Sequence, residues 1–306
     1  MEGTACIATR RSTLPRASRS VGHGQHVSST IGDHDLGARR ADPAARLCPA
    51  RFREWGLRAK PLAMEWSDEG VILSVRPHGE TGAVVELFTR AHGRHLGLVH
   101  GGRSRRLRPI LQTGNHVDAT WKARLSDHLG HFAVELRKGF AAGIMDDAAA
   151  LAALTSLAAL TRLLPERDPH ASLYEITLFV LGFLDERAVW PALLVRWELM
   201  LLEELGFGLD LASCAATGRT SDLIFVSPRS GRAVSAGAGE PYKARLLTLP
   251  AFLRAGPAGD VTPADVRAGF ALTGHFLEAR VLRPRNQAMP ESRLRLLSYL
   301  GQNWKL

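Results

Sequence analysis

Hydrophobic and polar positions change their period once along this chain of 306 residues. Between residues 70 and 138, short runs rich in β-branched and aromatic residues are separated by glycine, aspartate or proline, and several alternate apolar with polar positions. They predict five strands, over residues 70–77, 83–90, 94–101, 116–125 and 131–138. Because closing a sheet removes its exposed edges, this pattern favours a small barrel, and the five-stranded OB barrel is the commonest barrel of this size that binds nucleic acid.

From residue 145 the apolar period becomes helical. It predicts helices over residues 145–167, 168–187, 190–208, 261–282 and 290–302. Asp168 before Pro169 is a predicted cap, and so is Thr262, with Asp265 at the third helical position. The predicted fold class is therefore α+β: an OB barrel over 64–142, then an all-α domain over 143–306 with a loop-rich insertion at 209–240.

Residues 1–63 have no sustained apolar period and are punctuated by glycine, proline, serine and arginine. Three interpretations are open: an organellar transit peptide, a disordered basic extension, or a translation start at Met64. We favour the third. This segment holds 11 Lys and Arg against 5 Asp and Glu, compared with 28 against 25 in residues 64–306. The net charge of +9 is therefore weak support for a polyanionic partner.

Cysteine usage and hydropathy favour a protein of the reducing cytoplasm. Cys6, Cys48 and Cys214 lie far apart and form no CxxC pair, which argues against a disulfide scaffold. The longest uncharged stretch, Ala148–Thr161, has 14 residues, too few to cross a bilayer. We expect a cytoplasmic protein with no membrane partner.

The strongest local feature is positive charge around the third predicted strand. From Arg90 to Arg108 there are six arginines, three histidines and no carboxylate. Gly101 and Gly102 allow a sharp turn and a close approach to a ligand, and arginine donates paired hydrogen bonds to phosphate. We name residues 100–109 the basic segment. It is interpreted either as a flexible phosphate-binding loop or as a solvated loop without function.

Neighbouring strand residues extend the same positive face. Arg94, Lys122 and Arg124 add charge, and Trp121 is a candidate stacking platform for a base, although a place in the core is the commoner fate of a tryptophan. The predicted DNA contacts are Arg94, Arg103, Arg105, Arg106, Arg108, Lys122, Arg124 and Trp121.

Three stretches resemble the bacterial DNA-repair and recombination-mediator family RecO. They are "GVILSVRPHGETGAVVELFTRAHGRHLGLVHGGRS", "RWELMLLEELGFGLDLASCAATG" and "LIFVSPRSGRAVS", in the family's order within residues 64–306. The resemblance implies an OB barrel, a helical domain and, often, a zinc-binding insertion. It also implies binding of single- and double-stranded DNA at the nucleoid, annealing of complementary strands and work with RecR to load RecA. The helical domain would receive the acidic C-terminal tail of single-strand-binding protein, with candidate flanking residues Lys243, Arg245, Arg254 and Arg267.

The insertion is zinc-finger-like but lacks zinc ligands. Zinc-bearing relatives have two CxxC-like pairs, whereas "CAATG" has Thr217 in place of the second cysteine and "SPRSGRAVS" has no cysteine. One thiolate cannot close a tetrahedral site. We therefore expect no metal, an apolar plug at Leu223–Val226 with turns at Gly218 and Gly231, and Cys214 as a buried hydrophobe.

An enzyme acting on nucleic acid is the main alternative class. A metal-dependent nuclease needs carboxylates converging on a divalent ion, and the basic run has none. Asp146 and Asp147 lie at a predicted helix start, where the helix dipole accounts for them. The sequence has no P-loop and no GxSxG motif. We expect no catalytic residue and no cofactor; an OB-fold adaptor that binds only proteins is the third alternative.

Overall fold

The computed structural model describes residues 64–125, 127–254 and 260–302. The interpretations offered for residues 1–63 lie outside the described residues. Within the described ranges, no helix is both long enough and apolar enough to span a membrane.

Five strands close into a barrel. They are β1 Met64–His78, β2 Gly82–Thr89, β3 Gly93–Val99, β4 His116–Ala123 and β5 His131–Lys138. Their order around the barrel is β1-β2-β3-β5-β4, and β3 and β5 form its parallel pair. A five-stranded barrel of this Greek-key kind is an OB fold. All five predicted strands are confirmed.

Strand β1 begins at Met64 and not at residue 70, because it serves two neighbours. Its first part pairs antiparallel with β4, from Met64 opposite Ala123 to Val71 opposite His116, and its second part pairs with β2. The first part is mostly polar and only partly buried. Its strand conformation therefore comes from pairing with β4, which hydrophobic alternation does not reveal.

Apolar side chains and two glycines fill the barrel. A Cβ atom on Gly97 would lie 2.4 Å from the ring of Phe132, and one on Gly130 would lie 2.5 Å from the ring of Trp121. Both glycines are therefore needed for these two rings to fit in a close-packed interior. The other buried residues of this core include Ile72, Val85, Leu87 and Val117.

The rest of the described chain is mainly helical. The α-helices are α1 Ala148–Thr161, α2 Ala171–Gly182, α3 Trp190–Glu204, the single turn α4 Ala236–Gly239, α5 Pro263–Phe276 and α6 Glu291–Gln302. A π-helical turn over Leu277–Leu282 continues α5 and leads into a 3-10 turn over Arg283–Arg285. Further 3-10 turns lie at Ala141–Ile144, Glu240–Arg245 and Ala251–Leu253. The five predicted helices are confirmed, the first three with shorter ends.

The cap at Thr262 is confirmed, and the cap at Asp168 is wrong. Thr262 and Asp265 form a capping box at the start of α5. Helix α2 starts only at Ala171, because the preceding residues are held against β3. The backbone N–H of Arg167 donates to the carbonyl of Arg94 at 2.8 Å, and Arg167 has a φ of 63°.

The insertion folds around a small antiparallel sheet. Strand β6 Leu223–Val226 pairs with β7 Ala233–Ser235 and β8 Leu247–Thr248. Three of its four side chains are buried, and they pack in the helical core. Gly218 and Gly231 have φ values of 70° and 73°. The predicted apolar plug and its two turns are confirmed.

Barrel and helices meet in a buried interface, which we name the seam; it contains an apolar part and the ion pairs that Glu86 and Arg94 make with Arg162 and Glu166. Val71, Leu73 and Phe88 point out of the barrel and join the apolar core of the helical region. Strands 2 and 3 present the oligonucleotide-binding face of many OB folds. Here Phe88 is 0 % exposed and packs in the helical core, which shows that the helical region covers this part of the face. The division of the chain at residue 142 stays a prediction.

Candidate nucleic-acid interface

The basic segment is anchored on the barrel and differs from the flexible loop that we predicted. The backbone N–H groups of Ser104 and Arg108 donate to the carbonyls of Gly101 and Ser104 at 2.8 and 3.0 Å. Leu111 is buried just after the segment, and Leu107 packs against the barrel core. These contacts fix the backbone that carries the arginines.

The two glycines of the segment serve this anchoring. Gly101 has a φ of 64° and makes the turn. A Cβ atom on Gly102 would lie 2.8 Å from Cβ of Ala83. The close approach predicted for Gly102 is therefore made to strand β2.

The four arginines of the segment are all exposed. Arg103 donates from Nη1 to the carbonyl of Glu80 at 2.9 Å, which fixes its guanidinium beside the β1–β2 turn without neutralising its charge. Within the described ranges, no ion pair joins Arg103, Arg105, Arg106 or Arg108 to a carboxylate. Their charge is available to an external anion.

A groove of about 530 Å³ runs between the basic segment and strands β4 and β5. We name it the β4–β5 groove. Ser104 and Arg106 line one side, and Lys122 and His131 line the other. His100 also lines it and stacks on His131 with 4.6 Å between ring centroids. The groove thus joins basic groups from three separate parts of the sequence.

Lys122 has an internal partner. Its Nζ lies 2.8 Å from a carboxylate oxygen of Glu65, and both side chains are about half exposed. An exposed pair of this kind contributes little to stability. A phosphate that contacts Lys122 therefore competes with Glu65 at low energetic cost. Arg124 is exposed just beyond the end of β4 and forms no ion pair within the described ranges.

The β1–β2 cleft, of about 380 Å³, lies on the other side of the basic segment. Arg103 and Arg108 line it together with Val75 and Pro77. Three of the four arginines predicted as one set therefore divide between two hollows, and Arg105 lines neither.

The outer face of β1, β4 and β5 has a hollow of similar size and opposite charge. It measures about 560 Å³, and its ionisable lining residues are Asp68, Glu69, Asp118, Glu135 and Arg137. Four carboxylates against one guanidinium repel a polyanion. This hollow and the β4–β5 groove have similar volumes. What distinguishes them is the sign of the charge of their lining residues.

Trp121 is part of the barrel core and cannot serve as the predicted stacking platform. It is 1 % exposed, and its indole Nε1 donates to the carbonyl of Leu129 at 3.1 Å. Trp66 covers it, with 5.7 Å between ring centroids. A base would need an exposed ring face, and Trp121 offers none. We remove it from the predicted DNA contacts.

Arg94 lies in the seam, and we remove it from the DNA contacts too. Its guanidinium is ion-paired with the buried carboxylate of Glu86 and lies 3.5 Å from a carboxylate oxygen of Glu166. Its Nε donates to the carbonyl of Leu164 at 3.1 Å. The side chain is 13 % exposed. Its charge is therefore used within the protein.

Of the two histidines of the β4–β5 groove, sequence reasoning missed His131 and left His100 open between a phosphate contact and a residue without a role. His100 was one of several irregularly spaced histidines, and His131 had no feature that distinguished it. Only the parallel pairing of Leu98 with His131 in the barrel brings them together. No pattern in the linear sequence contains that signal.

Family models match both parts of the chain. The model described as Recombination protein O N terminal matches residues 64–140, and Recombination protein O C terminal matches residues 145–289. The chain belongs to the RecO family. The first match contains the barrel, the basic segment and both hollows beside it; the second contains α1 to α5 and the insertion.

Several RecO proteins are similar over nearly their whole length. The DNA repair protein RecO of Methylobacterium nodulans is 58 % identical over 234 residues, 75 % of this chain and 95 % of the relative. That of Methylorubrum populi is 56 % identical over 240 residues, 77 % of this chain and 98 % of the relative. That of Rhodopseudomonas palustris is 54 % identical over 233 residues, with coverages of 75 % and 93 %.

The zinc site implied by the RecO resemblance does not fit the residues of this insertion. Cys214 is buried, and its sulfur lies 3.4 Å from Ser235 Oγ and accepts from Ser235 N at 3.3 Å. Burial raises the pKa of the thiol, but hydrogen bonds from Ser235 and Thr217 outweigh this and lower the pKa to about 6. Hydroxyl and amide groups thus surround the sulfur where zinc would need further thiolates or imidazoles. In the described ranges, no group of three or more His, Cys, Asp and Glu side chains could hold a metal.

The basic residues considered for a partner of this RecO-family chain are exposed. Lys243 and Arg245 lie in the 3-10 turn after α4, Arg254 follows the next 3-10 turn, and Arg267 is on α5. Arg254 donates to the carbonyl of Leu249 at 2.9 Å. Their role in binding an acidic tail stays a prediction.

Proposed function

We propose that this RecO-family chain is a DNA-binding recombination mediator of DNA repair and not an enzyme. The observation that supports this most is the β4–β5 groove, where Arg106, Lys122, His100 and His131 converge without a lining carboxylate. Arginine and lysine cations beside a barrel are suited to a sugar–phosphate backbone, and histidine rings can donate hydrogen bonds to it. The revised set of proposed DNA contacts is Arg103, Arg105, Arg106, Arg108, Lys122, Arg124, His100 and His131.

Binding of this kind depends on the backbone of the nucleic acid. Arginine and lysine release counterions from phosphates, which gives affinity without regard to sequence. Trp121, the aromatic side chain proposed to stack on bases, is buried. We therefore propose similar affinities for unrelated strands of equal length, and binding of both single- and double-stranded DNA.

The partners follow from the RecO resemblance. The relatives are named DNA repair protein RecO. We propose that this chain acts at the nucleoid, anneals complementary strands, binds RecR and the tail of single-strand-binding protein, and helps to load RecA. The residues that we propose to flank the acidic tail are Lys243, Arg245, Arg254 and Arg267.

The non-enzymatic part of the proposal is supported by the use of the acidic residues. Asp147 caps α1 through the N–H groups of Ala149 and Ala150 at 2.9 and 3.1 Å, and pairs with Arg187 at 2.7 Å. The hydrogen bond from Arg187 lowers the pKa of Asp147 below its ordinary value, with further help from the two amides. This carboxylate is stabilised for capping and is far from a nuclease arrangement, which needs several carboxylates on one ion.

Salt dependence of single-strand binding tests the proposal. Replacement of Arg103, Arg105, Arg106 and Arg108 by alanine should flatten the log–log salt slope by about 3, since each phosphate contact contributes about 0.7. The matched control replaces Arg219, Arg229, Arg283 and Arg295, four exposed arginines of the helical region, and changes net charge equally. It should leave the slope nearly unchanged.

Three results would contradict the proposal. An unchanged slope in the quadruple variant means that the basic segment is a solvated loop. Equal flattening in the control means that net charge, and not this surface, binds DNA. If the wild-type chain shifts no DNA in a gel at low salt, the chain is a protein-binding adaptor.

A further inference from the structure

The basic segment separates two positively charged hollows. The β4–β5 groove and the β1–β2 cleft have no lining residue in common. Arg106 lines the groove, and Arg103 and Arg108 line the cleft. The groove is completed by strands β4 and β5, and the cleft by strands β1 and β2. The segment is therefore a ridge with a basic hollow on either side.

Each hollow has the charge that a phosphate backbone requires. The groove has Arg106 and Lys122, with His131 next to Lys122. The cleft has Arg103 and Arg108 over an apolar floor. Within the described ranges, no aspartate or glutamate lines either hollow. The cleft offers two guanidinium groups without a carboxylate partner in the described ranges, and the groove offers Arg106 together with Lys122, whose pairing with Glu65 is exposed and easily exchanged. Each pair of cations matches the anions of one strand.

The ridge is firmly attached to the barrel. Leu107 packs on the barrel core on the groove side, and Leu111 is buried on the cleft side. The guanidinium of Arg103 is fixed by the carbonyl of Glu80 at 2.9 Å. The two hollows therefore stay separate, with no lining residue in common.

We propose that the β1–β2 cleft is a second strand-binding site, so that one chain holds two sugar–phosphate backbones side by side across the ridge. This rests on the proposed function, because it assumes that the basic segment binds nucleic acid. Two strands held in this way are close together with their backbones fixed, and their bases are left free to pair. The ridge would act as the spacer between them.

The number of strands bound per chain tests the proposal. The full-length protein is titrated with a non-complementary hexanucleotide at low salt, and complexes are counted by native mass spectrometry. Wild type should take up about two strands per chain, since strands of this length lie within the site sizes of OB folds. R103A/R108A and R106A/K122A should each take up about one, at the hollow that remains. Both variants should anneal complementary strands more slowly than wild type.

Matched variants separate charge from folding. R103K/R108K keeps the two charges and should keep both strands. R219A/R229A removes two exposed arginines from the helical region and should also keep both. A far-ultraviolet circular dichroism spectrum of each variant shows whether it is folded.

Each other outcome has a definite meaning. Wild type with one strand per chain and a normal salt slope overturns the second site and leaves the proposed function intact. Two strands retained in R103A/R108A place the second site elsewhere and also overturn it. No binding by wild type removes the proposed function itself.

Discussion

The seam and the basic segment are the two arginine-rich regions of the barrel, and they differ in their carboxylates. In the seam, Glu86 is 1 % exposed and is contacted by Arg94, by Arg162 at 3.0 Å and by Arg76 at 3.9 Å. In the basic segment, the arginines are exposed and none is paired with a carboxylate in the described ranges. Arginine thus joins the barrel to the helical region in the seam, whereas in the basic segment its charge has no carboxylate partner in the described ranges.

This difference shows that the number of arginines is a poor guide to nucleic-acid binding. Arg94 and Arg103 lie in one stretch of the sequence with no carboxylate between them. Arg94 nevertheless has two glutamate partners, Glu86 from the neighbouring strand and Glu166 from the helical region. What decides the role of an arginine is the set of carboxylates that the fold brings to it.

The largest expected effect comes from removing the carboxylate at the centre of the seam. Glu86→Gln leaves Arg94 buried beside a neutral side chain. We expect the free energy of unfolding to fall by about 3 kcal/mol, the lower end of the range for breaking a buried ion pair. The loss is not larger because the side chains of Arg76 and Arg162 are partly exposed and can be solvated by water. Urea denaturation measures this. The DNA salt slope of the folded variant should not change.

A loss of less than about 1 kcal/mol, the range of an exposed pair, would contradict this interpretation of the seam. The matched control is Glu291→Gln on α6, which breaks the exposed pair with Arg295 at 3.0 Å. It should change stability by less than about 1 kcal/mol.

His95 is a third kind of basic group, buried and without a carboxylate. It is 5 % exposed, and neither ring nitrogen has a hydrogen-bond partner in the described ranges. Trp66, Trp121 and Phe132 surround it. Burial lowers the pKa of His95 from 6.5 to about 4, with smaller contributions from the charges of Arg167 and His92. The folded protein therefore keeps this ring neutral.

The second prediction is a loss of stability in mild acid. The pKa of His95 is lower in the folded state, so the unfolded chain binds the proton first. Stability from this group is complete above pH 6.5 and is lost as the pH falls from 6.5 towards 4. We expect the free energy of unfolding to fall by about 2 kcal/mol over this range. The full pKa shift, at about 1.36 kcal/mol for each pKa unit, would give a larger loss, and partial hydration of the charged ring reduces it.

His95→Leu isolates this effect. Burial also lowers the pKa of His116, so wild type has a second group that acts in the same direction. The unfolding free energy of wild type minus that of His95→Leu should fall by about 2 kcal/mol as the pH falls from 6.5 towards 4, whichever of the two proteins is the more stable at neutral pH. A difference that does not depend on pH would show that His95 does not resist protonation in the fold.

Much of the fold could be predicted from the sequence, because its signals are local. The strand runs have β-branched residues between turn formers, and Thr262 and Asp265 lie three positions apart at a helix start. The errors at Asp168 and Arg94 have one common cause. Both residues lie at the seam, where contacts between distant segments override the local pattern.

The candidate site was predicted only in part for the same reason. The exposed arginines lie within six residues of one another, from Arg103 to Arg108, and were found as a group. Their division between two hollows depends on barrel closure, which brings Lys122 and His131 to one side of the segment and Val75 to the other. No local pattern encodes that arrangement.

The third prediction turns a paired cation into a free one. Lys122 pairs with Glu65 at 2.8 Å beside the β4–β5 groove. Glu65→Gln should steepen the salt slope for single strands by about 0.7, one added phosphate contact, and raise the affinity at low salt. Stability should change by less than about 1 kcal/mol. Glu291→Gln serves again as control and should leave DNA binding unchanged. Weaker binding by Glu65→Gln would mean that Glu65 positions Lys122 rather than competing for it.

The smallest expected effect is zero, and it concerns the insertion. Apolar burial holds this part of the chain: Phe225 and Val226 are 7 % and 0 % exposed in the helical core. The sulfur of Cys214 is satisfied by Ser235, whose backbone N–H donates at 3.3 Å. Since one thiolate among hydroxyl and amide groups is a poor zinc site, the purified protein should contain no stoichiometric zinc, and a chelator should leave its Tm unchanged. Atomic emission and a thermal melt measure the two quantities. One zinc per chain, lost together with stability on chelation, would mean that residues other than those facing Cys214 complete a site, and that the apolar plug alone does not hold the insertion.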